Sequence, residues 1–413
     1  MKDRDLSSLI KKEMKRQEMT INLIASENYV SPEVLEVVGS PLMNKYSEGY
    51  PGRRYYPGNE FYDNIEVLAQ KRALEVFGLK PDDWSVNVQS YSGSPANLAI
   101  QLALMNWGDV LMGMQLPSGG HLTHGHKASF SGKAYKAVQY GTDAKTGLID
   151  FKKVKALAKK YNPKVIISGF TAYPRKIDFK KFGDIAKSVG AYHVADISHV
   201  AGLILAGLHP SPFSNADVVM TTTHKTLRGP RGAVIFVNRK SKIAKRNKID
   251  LPKAIDKAVF PGVQGGPHNN ITAAKALSFS EASRPSFKKY QRQIIANAKF
   301  LASELIKLGF NLATNGTDNH LMLIDLKSCN MDGAIAERLL EKNDITANRN
   351  AIFGDKSPLK PSGLRIGTPA VTSRGMKKLQ MKQIASLIYR CLIGREDIKT
   401  EVAVLCKRFP LPY

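Results

Sequence analysis

The sequence predicts an α/β protein with a mostly parallel central sheet, helices on both faces, and a smaller α+β domain toward its C-terminal end. Two patterns predict it. Between residues 60 and 279, short apolar runs alternate with amphipathic helical stretches, the rhythm of a parallel sheet covered on both sides. Beyond Phe279 one long amphipathic helix is followed by strands and helices in α+β order. A chain of 413 residues can bury two cores. The expected division is an N-terminal arm at 1–45, a large domain at 46–279 and a small domain at 280–413.

The elements follow in order. Residues 6–18 have the period of a short amphipathic helix, and an apolar piece then ends in Ser26, Glu27 and Asn28. The stretch 45–57, KYSEGYPGRRYYP, has neither helical nor strand period and reads as a recognition loop or a strip packed on another subunit. A helix is expected at 61–77, where Ile65, Leu68, Ala69 and Ala73 share a face. Apolar runs at 86–88, Val110–Met114, 137–140, 165–168, 191–195, 218–220 and 233–237 are the expected strands. A helix at 286–308 ends at Gly309, strands are expected at 321–326 and 364–366, and helices at 332–342 and 375–392.

Bulk properties narrow the function classes. Hydrophobic and charged contents of 43% and 23% are those of a soluble globular protein, and no apolar run reaches the length of a membrane span. The N-terminus mixes acids with bases, unlike a signal or transit peptide. Three widely spaced cysteines form neither a disulfide framework nor a metal pattern, so a reducing cytoplasm is expected. The net charge of +26 fits nucleic-acid binding or a lysine-rich surface. The basic residues are scattered over helical faces without an aromatic–basic RNA signature, so nucleic acid is not an expected partner.

In parallel sheets ligands bind beyond the carboxyl ends of the strands, and that rule selects the candidate residues. After the first strand come Ser90, Ser92, Gly93 and Ser94, with Pro95 suited to the first turn of a helix, an arrangement that offers N–H and hydroxyl donors to a phosphate. After the second come Gly119, Gly120, His121 and His124; no carboxylate or cysteine lies close enough in sequence to complete a metal site, and a ring lying flat on a conjugated cofactor is the better reading. Asp196 ends a buried apolar strand, where a carboxylate needs a cationic partner, either a protonated pyridine nitrogen or an arginine. Lys225 follows Thr221, Thr222, Thr223 and His224 past the end of another strand. A lysine there sheds its proton more easily than a solvated one and can condense with a carbonyl. Arg365, beside a strand, is a candidate carboxylate clamp. An amine, an opposing acid and an anion cradle are the parts of a pyridoxal phosphate site.

The runs LIASENY, NKYSEGYPGRRYY, SGSPAN, GGHLTHG, DISHVAG, TTTHKTLRGPRG, FPGVQGGPH, GTDNHL and SGLRIGTPA together resemble the serine hydroxymethyltransferases over nearly the whole chain. The resemblance implies the aspartate aminotransferase-like fold (pyridoxal phosphate fold type I), and a homodimer or tetramer whose active sites are shared between subunits. It implies that Lys225 carries pyridoxal 5'-phosphate and that Asp196 meets the ring nitrogen. His121 would stack on the ring, while Ser92, Gly93 and Ser94 would hold the phosphate, with Tyr46 and Gly266 from the neighbouring subunit. Thr171, Thr222, His199 and His224 match positions around the coenzyme. Ser26, Tyr56 and Arg365 match substrate contacts, and Glu48 and Tyr56 the acid–base pair. Glu48, Tyr55, Leu116, Gly120, His121, Leu122, Asn348, Ser357, Pro358 and Leu359 match the pocket for tetrahydrofolate, the co-substrate.

The implied reaction interconverts serine and glycine, with folate-independent retro-aldol cleavage of other β-hydroxy amino acids as a side activity. The chain departs from the family at Pro57, within a familiar Tyr-Tyr-Gly-Gly, at Val263, where glycine is common, and at Leu359, where bacterial relatives carry phenylalanine. The nearest alternative is a pyridoxal phosphate aldolase or aminotransferase, which would share Lys225 and Asp196 but lack the 46–56 loop and the GGHLTHG run. A nucleic-acid-binding protein is the alternative from another class, and it rests on net charge alone.

Overall fold

The seven apolar runs between residues 84 and 238 pair into one sheet. In the computed structural model, which describes residues 2–352, 354–355 and 360–413, the strands are β1 (Trp84–Asn87), β2 (Val110–Met114), β3 (Lys136–Tyr140), β4 (Val165–Gly169), β5 (Tyr192–Asp196), β6 (Val218–Thr222) and β7 (Ala233–Asn238). Their order is β1-β7-β6-β5-β4-β2-β3. Strands β3, β2, β4, β5 and β6 run parallel, while β7 is antiparallel to both of its neighbours, β6 and β1. Strand β1 therefore points the same way as the parallel five. The carboxyl ends of six strands open on one edge, and the candidate residues follow them.

Burial explains why these segments are strands. Every residue of β4, β5 and β6 is buried, so their continuous Val/Ile/Ala runs face apolar layers on both sides rather than alternating with polar residues. Ile100 and Leu104 of helix α2 (Gly93–Leu104) share one buried cluster with Val165, Val194, Val218 and Ile235 of the sheet. Helix α1 (Glu60–Val76) precedes β1, and helix α3 (Asn269–Ala282) buries nine of its fourteen residues.

The chain forms two compact units, 30–291 and 1–29 with 292–413. The expected arm at 1–45 is divided between them. Residues Ile21–Asn22 pair in parallel with Ile345–Thr346, and Ile21, Leu23 and Ala25 are buried, which ties that stretch to the smaller unit. The other boundary, at 291/292, falls inside the helix Pro285–Lys307 rather than at 279.

The smaller unit carries an antiparallel sheet of β8 (Asn311–Leu312), β9 (Leu321–Asp325), β10 (Asn348–Asn350) and β11 (Gly363–Gly367), ordered β8-β9-β11-β10. Its core joins Leu301, Leu305, Ile324, Leu340, Ile366, Ile384 and Ile388. The expected helix at 375–392 begins only at Lys378, because Gly375 has a left-handed φ of 83° and ends a preceding short helix, Pro369–Ser373. Among the described residues, no helix is long and apolar enough to cross a membrane.

Candidate active site

Three strand ends supply the centre of the site. Asp196 closes β5, and its buried carboxylate is surrounded by donors. Its Oδ2 accepts from His124 Nε2 at 3.0 Å and from Asn97 Nδ2 at 3.1 Å, and its Oδ1 accepts from the Ser198 backbone N–H at 3.1 Å. Burial opposes ionisation, but His124, Lys225 and His121 outweigh it and hold the carboxyl well below the usual carboxylate range. The sequence offered a protonated pyridine nitrogen or an arginine for this acid; the protein group that meets it is the imidazole of His124, on the turn after β2.

Lys225 is half-buried, three residues past the end of β6. Its charge lowers the pKa of Asp196, His121 and His224, so the four groups share one electrostatic neighbourhood. His121 is pushed down to about 4 by burial, with His124 and Lys225 adding to the effect and Asp196 opposing it. Its ring is neutral at pH 7. Its Nδ1 accepts from the Thr123 backbone N–H at 3.2 Å and lies 2.8 Å from the Thr123 hydroxyl, which assigns the proton to Nε2. Asn97 links the two histidines' surroundings, donating to Thr123 Oγ1 at 2.8 Å as well as to Asp196.

The turn before α2 has the character of an anion cradle. Ser92 is the N-cap in extended backbone, and its hydroxyl makes no capping bond. Ser90 Oγ, Thr222 Oγ1 and His224 Nδ1 are buried polar atoms without a hydrogen-bond partner in the protein, an arrangement that costs free energy unless a ligand meets them. Gly93 is required by the close approach of β6, since a Cβ there would lie 2.8 Å from Thr222 Cγ2. His224 is pushed down to about 3, by burial first and by the charges of Lys225 and Arg231, so its ring is neutral. These residues fit a phosphate-bearing cofactor.

Around this centre, the Thr171 hydroxyl donates to the Gly120 carbonyl at 3.0 Å, and a Cβ on Gly120 would overlap the carbonyl of Met114. His199 is buried, with its ring 6.1 Å from that of Phe170. Leu116 and Leu122 open the two short turns flanking Gly120, the first half-buried and the second exposed.

A second cluster gathers Tyr46, Glu48, Tyr56 and Gly266. The rings of Tyr46 and Tyr56 meet edge to face at 5.4 Å, and a Cβ on Gly266 would sit 3.2 Å from the Tyr46 ring and 3.7 Å from Glu48 Cγ. Tyr55 is 76% exposed. The stretch expected to lack regular structure contains a small hairpin, Gly49–Tyr50 with Arg53–Arg54. Sequence reasoning missed what organises it. Buried Arg54 donates to Asp63 Oδ1 and Glu66 Oε2, both at 2.7 Å, and to the carbonyls of Ser47 and Gly49 on either side of Glu48. The signal was Asp63 and Glu66, three apart on α1 and facing a run of two arginines.

Within the smaller unit, Arg365 of β11 is buried. Its Nε donates to Asn348 Oδ1 at 2.9 Å and its Nη2 lies 3.4 Å from Ser26 Oγ. Burial lowers the guanidinium to about 10, against the pull of Glu27, so it stays charged at pH 7. Ser357, Pro358 and Leu359 lie outside the described residues.

A sheet in this order, with a lysine after its sixth strand in the electrostatic neighbourhood of an ionised aspartate ending its fifth, fits a pyridoxal phosphate-dependent enzyme of fold type I. The comparisons narrow the class. The family model for serine hydroxymethyltransferase matches residues 1–388. The chain is 51% identical over 417 residues to a serine hydroxymethyltransferase of Desulfotalea psychrophila, covering 99% of this chain and 95% of that one. It is 50% identical over 423 residues to one from Acidothermus cellulolyticus, covering 99% and 96%. It is 48% identical over 408 residues to a mitochondrial one from Saccharomyces cerevisiae, covering 96% and 83%. The chain belongs to the serine hydroxymethyltransferase family, and it is a transferase.

Proposed function

We propose that this enzyme interconverts serine and glycine with tetrahydrofolate as the one-carbon carrier, supplying glycine and one-carbon units, with pyridoxal phosphate bound through Lys225. The observation that carries the reading is an ionised Asp196, held by His124, Asn97 and the Ser198 backbone N–H, with Lys225 in its electrostatic neighbourhood past the adjoining strand end. When bound, the coenzyme supplies an electron sink that weakens the bonds at the amino-acid Cα. Asp196, ionised at working pH, would keep the ring nitrogen protonated, and neutral His121 would stack on the ring. Ser92, Gly93 and Ser94, with Ser90, Thr222 and His224, would hold the phosphate, and Thr171 and His199 would position the ring. Arg365 and Ser26 take the substrate carboxylate, for which a charged guanidinium is the natural clamp.

Glu48 moves the proton of the serine hydroxyl or of a folate nitrogen, and Tyr56 assists it. The exposure of Tyr46, Tyr55 and Tyr56 supports a homodimer or tetramer in which this cluster, with Gly266, reaches the neighbouring subunit's site. Tyr55, Leu116, Gly120, Leu122 and Asn348 are the residues proposed to contact the folate, as are Ser357, Pro358 and Leu359, which lie outside the described residues. A cytoplasmic location and slow cleavage of 3-phenylserine without folate complete the reading. A serine-to-glycine assay with and without tetrahydrofolate tests it. Glycine release that requires both folate and coenzyme is the expected result; equal rates with and without folate would make the chain a β-hydroxy amino-acid aldolase instead.

A further inference from the structure

Lys275 lies on α3 and is only 1% exposed, so its ammonium must be satisfied from within the protein. It is satisfied completely. Nζ donates to the carbonyls of Val88 at 2.6 Å, Ser90 at 2.9 Å and Ala233 at 3.0 Å, three acceptors for the three N–H bonds of the charged form. A neutral amine would turn a lone pair toward one of those oxygens. Burial pushes Lys275 down to about 7 while Glu66 pulls it up; the three carbonyl acceptors favour the protonated amine, a costly buried cation that a methionine of similar length would avoid.

The carbonyls it gathers are not ordinary sheet acceptors. Val88 and Ser90 follow the last residue of β1, and Ala233 opens β7; the Ala233 backbone N–H donates to Ser90 at 3.2 Å as the ladder runs out. The next residues are the turn 90–94. The same turn is held from the segment just before α3. Gln264 Oε1 accepts from the Tyr91 N–H and its Nε2 donates to the Gln89 carbonyl, both at 3.0 Å. The Tyr91 hydroxyl donates to the Gly266 carbonyl at 2.6 Å, and the Tyr91 ring stacks on His268 at 4.0 Å. The turn's backbone is thus pinned on one flank by a side-chain amide and an aromatic stack, and from beneath by a cation.

We infer that Lys275 is a positioning residue for the anion cradle: by collecting the Val88, Ser90 and Ala233 carbonyls it fixes the shape of turn 90–94 and adds positive charge behind it. The inference rests on the coenzyme reading above and gives Lys275 a role specific to the phosphate end of the ligand. It predicts that loss of the ammonium weakens recognition of the phosphate and spares recognition of the aldehyde-bearing ring.

The test titrates the coenzyme-depleted full chain with pyridoxal 5'-phosphate and, separately, with pyridoxal, following the visible absorbance of the bound ligand. Lys275→Met should lower affinity for the phosphorylated ligand about tenfold, the size expected for losing hydrogen bonds to a charged group, and change pyridoxal affinity by less than about twofold. Lys275→Gln, which keeps two N–H donors and no charge, should fall between and is the variant to read if the methionine form does not fold. Equal losses for the two ligands, or an unchanged ratio in either folded variant, overturn the role. A wild-type chain that does not prefer pyridoxal phosphate over pyridoxal overturns the coenzyme reading itself, and that outcome is seen before any variant is made.

Discussion

At the scale of single residues, burial sorts charged groups from neutral ones. In the larger unit Asp196 remains ionised despite burial, whereas His121 and His224 are neutral at pH 7; in the smaller unit Arg365 keeps its charge. Lys225→Gln removes the proposed nucleophile and, with it, one of the charges that lower Asp196, His121 and His224. It should therefore abolish turnover by several orders of magnitude and remove the covalent, borohydride-trappable attachment of coenzyme, measured by absorbance and by mass after reduction. Glu48→Gln is expected to behave differently. The folate-dependent transfer should fall by roughly 10²–10⁴, the usual span for a lost acid–base group, with cleavage of 3-phenylserine falling far less. Matching losses in the two assays would leave Glu48 without a role in folate chemistry. Asp196 was singled out because it ends a run of apolar residues, where a charge has no bland reason to be, and Lys225 because it follows three threonines and a histidine past the end of the next strand. The sequence did not expose His124 as the partner of Asp196. That contact joins residues 72 apart, and only the adjacency of strand ends creates it.

At the scale of elements, legibility followed periodicity. Strand Val110–Met114 coincides with its expected bounds because it is one short run with a strong apolar signal. The stretch 45–57 was opaque because its hairpin depends on ion pairs from α1 rather than on alternation of its own residues. Arg54 sits there with its side chain only 4% exposed, paired to Glu66, whose carboxyl is pushed up by burial against the pull of Arg54. Removing one partner of a buried pair leaves an uncompensated charge. Arg54→Met should therefore destabilise the protein by about 3–5 kcal/mol, and it also strands the carbonyls of Ser47 and Gly49. Urea denaturation with an unchanged m-value checks it. A loss below about 1 kcal/mol, the range of an exposed pair, would mean that the hairpin does not depend on this ion pair.

At the scale of the whole molecule, the excess of 61 Lys and Arg over 35 Asp and Glu meets a set of buried neutral histidines. His121 and His193 are pushed down to about 4 and His224 to about 3 from an ordinary 6.5, in each case chiefly by burial. Between those values and 6.5 the unfolded chain binds protons that the folded chain does not. Their contribution to stability is therefore complete above about pH 6.5 and is lost as pH falls toward 4, on the order of a few kcal/mol for each group. Asp196 works in the same direction at lower pH, since its depressed carboxyl keeps its contribution until the solution is more acidic still. Each proton gained also adds to a net charge of +26, so self-repulsion steepens the decline. The urea midpoint of the coenzyme-free protein should drop markedly between pH 7 and pH 5, and about 0.5 M salt should recover only part of it, because salt screens exposed charges and not buried rings. Full recovery by salt would assign the acid sensitivity to the surface alone. A midpoint flat across that range would mean that the three imidazoles are protonated inside the fold, and the neutral ring proposed to lie on the coenzyme would be a cation.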